Sequence, residues 1–177
     1  MSQQQHNQTV QRGMAIGFVI TLSLFISLYM VVPKFSQEMV LVDRITLGLE
    51  CLVFPALMLL VTIIKVGSQR FGNSAENPVE VVASTEAMKI DLRVLSNTHE
   101  QIVIFIINAL SLAVLLPYAY LSLLPVYSAL FVVGRILFWL GYRYRILWRA
   151  PGFAMAVLPA VAGLGYSGYS VLNQVFF

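Results

Sequence analysis

Arg93, Asn97 and Glu100 stand four and three residues apart, so on a helix they share one face and span about 10.5 Å of its axis. Such a stripe offers a guanidinium fork for carboxylates, an amide that both donates and accepts, and a carboxylate able to take an ammonium. Gln101 and Asn108 carry polar character further along the segment, with His99 on its flank. Arg135 lies ten residues into another apolar segment, with no other charge near it in sequence. An arginine at the centre of a lone membrane helix costs roughly 2.5–3.5 kcal/mol on insertion scales, so it needs a partner or water. Glu100 is the expected partner, within the chain or across a subunit boundary, and Glu50 the second choice. From Arg135 the same face continues through Phe138 or Trp139 to Tyr142 and then, seven residues on, to Arg149. These side chains describe a basic, hydrogen-bonding cleft suited to a small zwitterion rich in carboxylates. An apolar gap beside it would admit a lipid-like second substrate from the bilayer. Arg149 or Tyr142 would stabilise negative charge developing in that cleft.

A structural role competes with this reading. Arg135 and Glu100 could simply join helices or subunits, and Arg143 and Arg145 read as interfacial charges that set topology. His6 and His99 have no cysteine or carboxylate partner at metal spacing, so no metal site is expected. Cys51 is the only cysteine, which excludes an intrachain disulfide.

The elements that must position these residues are membrane helices. Of 177 residues, 59% are hydrophobic and 11% charged, and the apolar residues fall in long blocks that a soluble fold of this length could not hide. After a polar tail over 1–13, segment 14–32 has no charge in 19 positions, long enough to cross a bilayer. Its length and lack of a small-x-small cleavage site predict a retained helix rather than a signal peptide. A connector through Lys34–Arg44 leads to a second crossing over 45–66, which Pro55 could kink. The polar region 67–92 contains Asn77-Pro78-Val79-Glu80, which fits an N-cap, and Ser84 offers another helix start. The third crossing begins around Leu92–Ser96 and ends near Leu116, and the fourth occupies roughly Pro125–Leu147. Arg149-Ala150-Pro151-Gly152 reads as a tight turn before the fifth crossing, Phe153–Leu172, whose Ala160, Gly163, Gly165 and Gly168 permit close helix contact. A cytoplasmic N-terminus puts eight basic residues inside and leaves Lys34 and Arg44 outside, which supports five crossings.

Arg93-Val94-Leu95-Ser96-Asn97-Thr98-His99-Glu100-Gln101 resembles the Arg-x-x-x-Asn-x-x-Glu signature of the MAPEG superfamily, the membrane-associated proteins in eicosanoid and glutathione metabolism. Gly134-Arg135-Ile136-Leu137-Phe138-Trp139-Leu140-Gly141-Tyr142, followed by Arg149-Ala150-Pro151, resembles the next helix of that family. The resemblance implies an all-α integral membrane protein: a left-handed four-helix bundle over 45–172, with 14–44 as an added transmembrane helix and connector and 173–177 as a tail. It also implies a homotrimer with glutathione bound between subunits near the cytoplasmic face, contacted by Arg93, Asn97, Glu100, Arg135 and Tyr142. Arg149 stands where leukotriene C4 synthase-like members keep the arginine proposed to activate the glutathione thiol. Thiolate attack on an electrophilic or peroxidised lipid would follow, as a transferase or peroxidase. Phe138 departs from a tyrosine found in some catalytic members. The Asn-Thr-x-Glu-Gln form is similar to the five-helix branch that includes mattrin-like proteins. The superfamily also holds a lipid-binding helper of a lipoxygenase without transferase activity, so a non-enzymatic lipid-binding or scaffold protein is the alternative. Transport is a third reading, disfavoured because no paired discontinuous helices or internal repeat is evident. The added helix, absent from most of the family, is expected to be peripheral.

Overall fold

The computed structural model describes residues 3–72, 85–144 and 149–176. The protein is an all-α integral membrane protein, and its described residues contain no strand. Its helices are α1 (Gln3–Val31), α2 (Leu41–Glu50), α3 (Val53–Gly72), α4 (Glu86–Leu115), α5 (Leu123–Arg143) and α6 (Arg149–Phe176). Among the described residues, five stretches are long and apolar enough to cross a membrane, α2 and α3 together making one of them.

α1 begins eleven residues before the crossing read from composition and takes in most of the stretch read as a polar tail. Gln is a good helix former, and no Pro or Gly interrupts the chain before Gly13. At the other end Lys34 donates to the carbonyl of Tyr29 and lies over its ring, which caps α1 before the connector. The second crossing breaks at Cys51–Leu52 rather than bending at Pro55 itself. Pro55 has no N–H to give to the carbonyl four residues earlier, that of Cys51. The Ser128 hydroxyl of α5 donates to this carbonyl at 2.7 Å. An orphaned acceptor in the bilayer is thus satisfied by a neighbouring helix.

α4 starts at the N-cap Thr85, whose hydroxyl accepts from the Met88 N–H at 3.2 Å. The starts read at Asn77 and Ser84 lie outside the described residues. α4 ends at Leu116 before Pro117, and Arg44 of α2 donates to the carbonyls of Ala113, at 2.8 Å, and Leu116. Arg44 is therefore a cap on the negative end of α4 as well as a topology charge. The core lies where α4, α5 and α6 meet: the Phe105 ring packs on Tyr127 at 4.4 Å and Phe131 at 4.9 Å, with Ala109, Ala156 and Ala160 alongside.

Two glycines let α5 and α6 touch backbone to backbone. A Cβ at Gly134 would lie 2.8 Å from the Gly152 carbonyl oxygen, and one at Gly152 would collide with the backbone of Phe138 and Gly134. The segment Arg149–Gly152, read as a turn, is instead the first turn of α6. Pro151 fits there because first-turn N–H groups have no intrahelical acceptor. Of the small residues expected at contacts, Ala160 is buried and Gly163 abuts the Asn108 amide, whereas Gly165 and Gly168 face open space within this chain.

Candidate functional site

At the end of the bundle where α4 and α6 begin and α5 ends, helices α1, α4, α5 and α6 enclose a cavity of about 630 Å³. Asn97 enters it from α4, Phe138 and Tyr142 from α5, and Arg149, Phe153 and Val157 from α6. Tyr142 and Phe138 are one helical turn apart and pack edge to face at 5.0 Å, while the Arg149 guanidinium sits over the Tyr142 ring at 5.2 Å. The hydrophobic rings thus fix a cation at the mouth of an otherwise apolar space. A second cavity of about 380 Å³ opens on the other side of Tyr142, lined by Glu86, Lys89 and Arg93 among others. Tyr142 is the partition between a charged compartment and an apolar one.

Arg135 is 0% exposed and lies behind the first cavity rather than on its surface. Its Nη1 donates to Asn97 Oδ1 at 2.7 Å, and its guanidinium lies 4.7 Å from the Phe138 ring centroid and 5.7 Å from that of Phe131. The remaining donors, Nε and Nη2, find no acceptor among the described residues. The expected Arg135–Glu100 pair does not form in this chain, nor does a pair with Glu50. Glu100 is exposed on another face of α4, where it accepts from the Ser96 hydroxyl at 3.2 Å. The reason is helical phase: three residues on, Glu100 sits about 60° around the axis from Asn97, so the two share a broad face on which Asn97 takes the edge that meets α5 and Glu100 the exposed edge. Because Asn97 uses its carbonyl oxygen to accept from Arg135, its amide N–H₂ is the group left to meet a ligand.

Of the six site residues read from sequence, Asn97, Tyr142 and Arg149 line one cavity, Arg135 backs it, Arg93 lines the adjoining charged cavity, and Glu100 lies apart. Asn108, expected to continue the polar cleft, is buried deep between α4 and α6, with its amide Nδ2 3.4 Å from the Ala160 carbonyl oxygen. Arg145 lies outside the described residues.

Sequence reasoning missed Asp91. It is 2% exposed, and it accepts from Trp139 Nε1 at 2.9 Å and from Arg143 Nη2 at 2.6 and 2.8 Å. Arg143 is thus more than a topology charge: with Trp139 one turn before it, it clamps the start of α4 to the end of α5. That clamp fixes which faces of α4 and α5 meet, and hence that Asn97 and Tyr142 share a cavity. An acid placed just before an apolar run, matched by a Trp and an Arg four residues apart, was the available signal. Met14 and Phe18 of α1 were also missed, although both line the larger cavity.

A family model described as the MAPEG family matches residues 48–169, from within α2 to near the end of α6. No curated protein and no solved structure gives a match. The matched span covers more than half of the chain and contains α3 to α5 entire, with Asp91, Arg93, Asn97, Arg135, Tyr142 and Arg149, so this chain is a member of the MAPEG family.

Proposed function

We propose that the protein is a glutathione-dependent transferase or peroxidase acting on a hydrophobic, lipid-like electrophile. The observation that carries this reading is the pair of compartments divided by Tyr142, one charged and one apolar, with the Arg149 cation stacked on the divider. Glutathione is an extended peptide with two carboxylates and an ammonium. In the charged compartment Arg93 would meet a carboxylate, and the exposed Lys89–Glu86 pair, 2.8 Å apart, would open to give Lys89 to the second carboxylate and Glu86 to the ammonium. Its sulfur would then pass Tyr142 towards Arg149, whose fixed charge favours the thiolate over the thiol. In the transfer step the thiol proton leaves to water and a sulfur lone pair forms the C–S bond. The electrophile's C–O or C–X bond breaks at the same time, and the departing group takes a proton from water or from the Tyr142 hydroxyl. Asn97, oriented by Arg135, would donate to the peptide or to the departing oxygen.

A homotrimer completes this reading. On α4, Arg93, Ser96, Glu100, Val103, Ile107 and Val114 are all exposed and recur at spacings of three, four or seven. Such a stripe suits helix-on-helix packing with further copies of the chain, where Glu100 would meet a partner subunit. A cytoplasmic N-terminus belongs to this reading and is supported by the distribution of basic residues. A lipid-binding role without turnover is the second reading, favoured by the mostly apolar wall of the larger cavity.

The deciding experiment is calorimetric titration of purified protein with glutathione, alongside a thiolate difference spectrum of the bound peptide. Wild type binds saturably and shows thiolate. Arg93→Ala loses binding with the oligomer intact, and Arg149→Ala binds but shows no thiolate. Wild type that fails to bind glutathione sinks the transferase reading and leaves the lipid-binding one.

A further inference from the structure

α1 lies wholly outside the residues that match the family, yet it closes one side of the larger cavity. Its seam against α6 is unusually close. Gly13, Gly17 and Thr21 recur every fourth residue and are all buried. A Cβ on Gly17 would lie 3.0 Å from Cα of Pro151, and one on Gly13 would lie 3.3 Å from Cβ of Ala150. Small residues at this spacing let two membrane helices approach at backbone distance, and here they fix the rotation of α1 about its own axis. Thr21 remains compatible with the seam because its hydroxyl donates to the Gly17 carbonyl at 2.7 Å. With that rotation set, Met14 and Phe18, one turn apart and adjacent to the seam glycines, line the cavity. Met14 and Phe18 remain 55% and 53% exposed, at the outer edge of the cavity, and Ile16, 52% exposed, does not line it.

The cavity has direction. Along α6 it extends from Arg149 to Leu158, nine residues and about 13 Å. The polar groups, Asn97, Tyr142 and Arg149, are at one end, and the wall beyond Phe153 is apolar. We propose that Met14 and Phe18 of α1 are the specificity-determining wall of this cavity, selecting an amphiphile whose single unbranched apolar chain lies along α6 with its polar head at Arg149 and Asn97. The proposal rests on reading this cavity as the hydrophobic substrate's site. Phe18 is one turn further from the basic end than Met14, so it limits how far a chain runs into the bundle. α1 is then part of the site rather than the peripheral anchor that its absence from the family pattern suggests.

The test is equilibrium binding in nanodiscs of a homologous series of saturated alkyl carboxylates, each competing with a fluorescent polyene fatty acid. Phe18→Ala shifts the preference towards longer chains, with binding strengthened by about fourfold for each further methylene buried. Phe18→Trp shifts it towards shorter chains, and Ile16→Ala, on the same helix but outside the cavity lining, leaves the series unchanged. Phe18→Leu gives the same comparison if Phe18→Ala does not assemble. Phe18 variants that bind every chain length as wild type does, or that change all lengths equally, overturn the proposal. Glutathione titration of the same samples keeps the two claims apart: wild type that binds no glutathione removes the transferase reading, while the chain-length series still decides the role of Phe18.

Discussion

Replacing Arg135 by methionine separates a ligand-orienting arginine from one that merely holds helices together. The side chain is fully buried, makes one hydrogen bond, to Asn97, and leaves Nε and Nη2 without acceptors. Losing the charge-assisted bond costs about 1.5–3 kcal/mol, and removing two stranded buried donors returns about 1–3 kcal/mol each. Methionine fills most of the same space between Phe131 and Phe138 and makes favourable contacts with both rings. Allowing for about 1–3 kcal/mol for the Asn97 carbonyl left without its donor, these terms nearly cancel, and the ligand-free variant comes out within about 1 kcal/mol of wild type. Affinity for the proposed ligand, glutathione, falls instead. Asn97 is no longer held with its amide towards the cavity, and one oriented hydrogen bond of about 1.5 kcal/mol is worth roughly tenfold in Kd. Reversible unfolding in mixed micelles, followed by circular dichroism, reads the first quantity, and calorimetry reads the second. Arg135→Lys supplies the contrast: it keeps a buried charge but loses the planar fork, so it destabilises. A loss of more than about 3 kcal/mol in Arg135→Met, with glutathione affinity unchanged, would refute the reasoning and assign Arg135 to assembly alone.

Gly152→Ala places a methyl against the backbone of Phe138 and Gly134, where no side chain can swing aside. It is expected to cost about 3 kcal/mol, the upper end for overpacking, and to lower the thermal midpoint of the purified protein. Ser128→Ala strands the Cys51 carbonyl that Pro55 cannot serve, with a loss of about 1–3 kcal/mol in the same unfolding assay, and Ser128→Thr restores most of it. Asp91→Asn and Arg143→Met, measured singly and together, should show a coupling of about 1–2 kcal/mol, below the range for a fully buried pair because a third of the Arg143 side chain is exposed. Additive effects in that cycle would mean that the Asp91–Arg143 clamp does not position α4 against α5.

Much of this protein is legible in its sequence because a bilayer leaves few options. Uninterrupted apolar blocks must be helices, since any other backbone would strand its N–H and C=O groups in hydrocarbon. The five crossings therefore follow from composition, and the Arg93, Asn97, Arg135, Tyr142 and Arg149 pattern is enough to indicate the family and the end of the bundle where the candidate site lies. Element boundaries were less legible: the Gln-rich start joins α1, and the 149–152 segment opens α6, because a Pro early in a helix and a Pro in a turn look alike in one dimension. Partnerships were not legible at all. Whether Arg135 meets Glu100 or Asn97 depends on the rotation of α4, which the Asp91–Arg143–Trp139 clamp helps to set from far along the chain. Whether α1 is an anchor or a wall depends on how closely it can approach α6, a matter of Gly13 and Gly17 fitting against Ala150 and Pro151. Solvation thus dictates which residues enter the membrane, a one-dimensional property that sequence alone determines. Which of them meet is decided by the packing of helix against helix, and only the tertiary structure holds that.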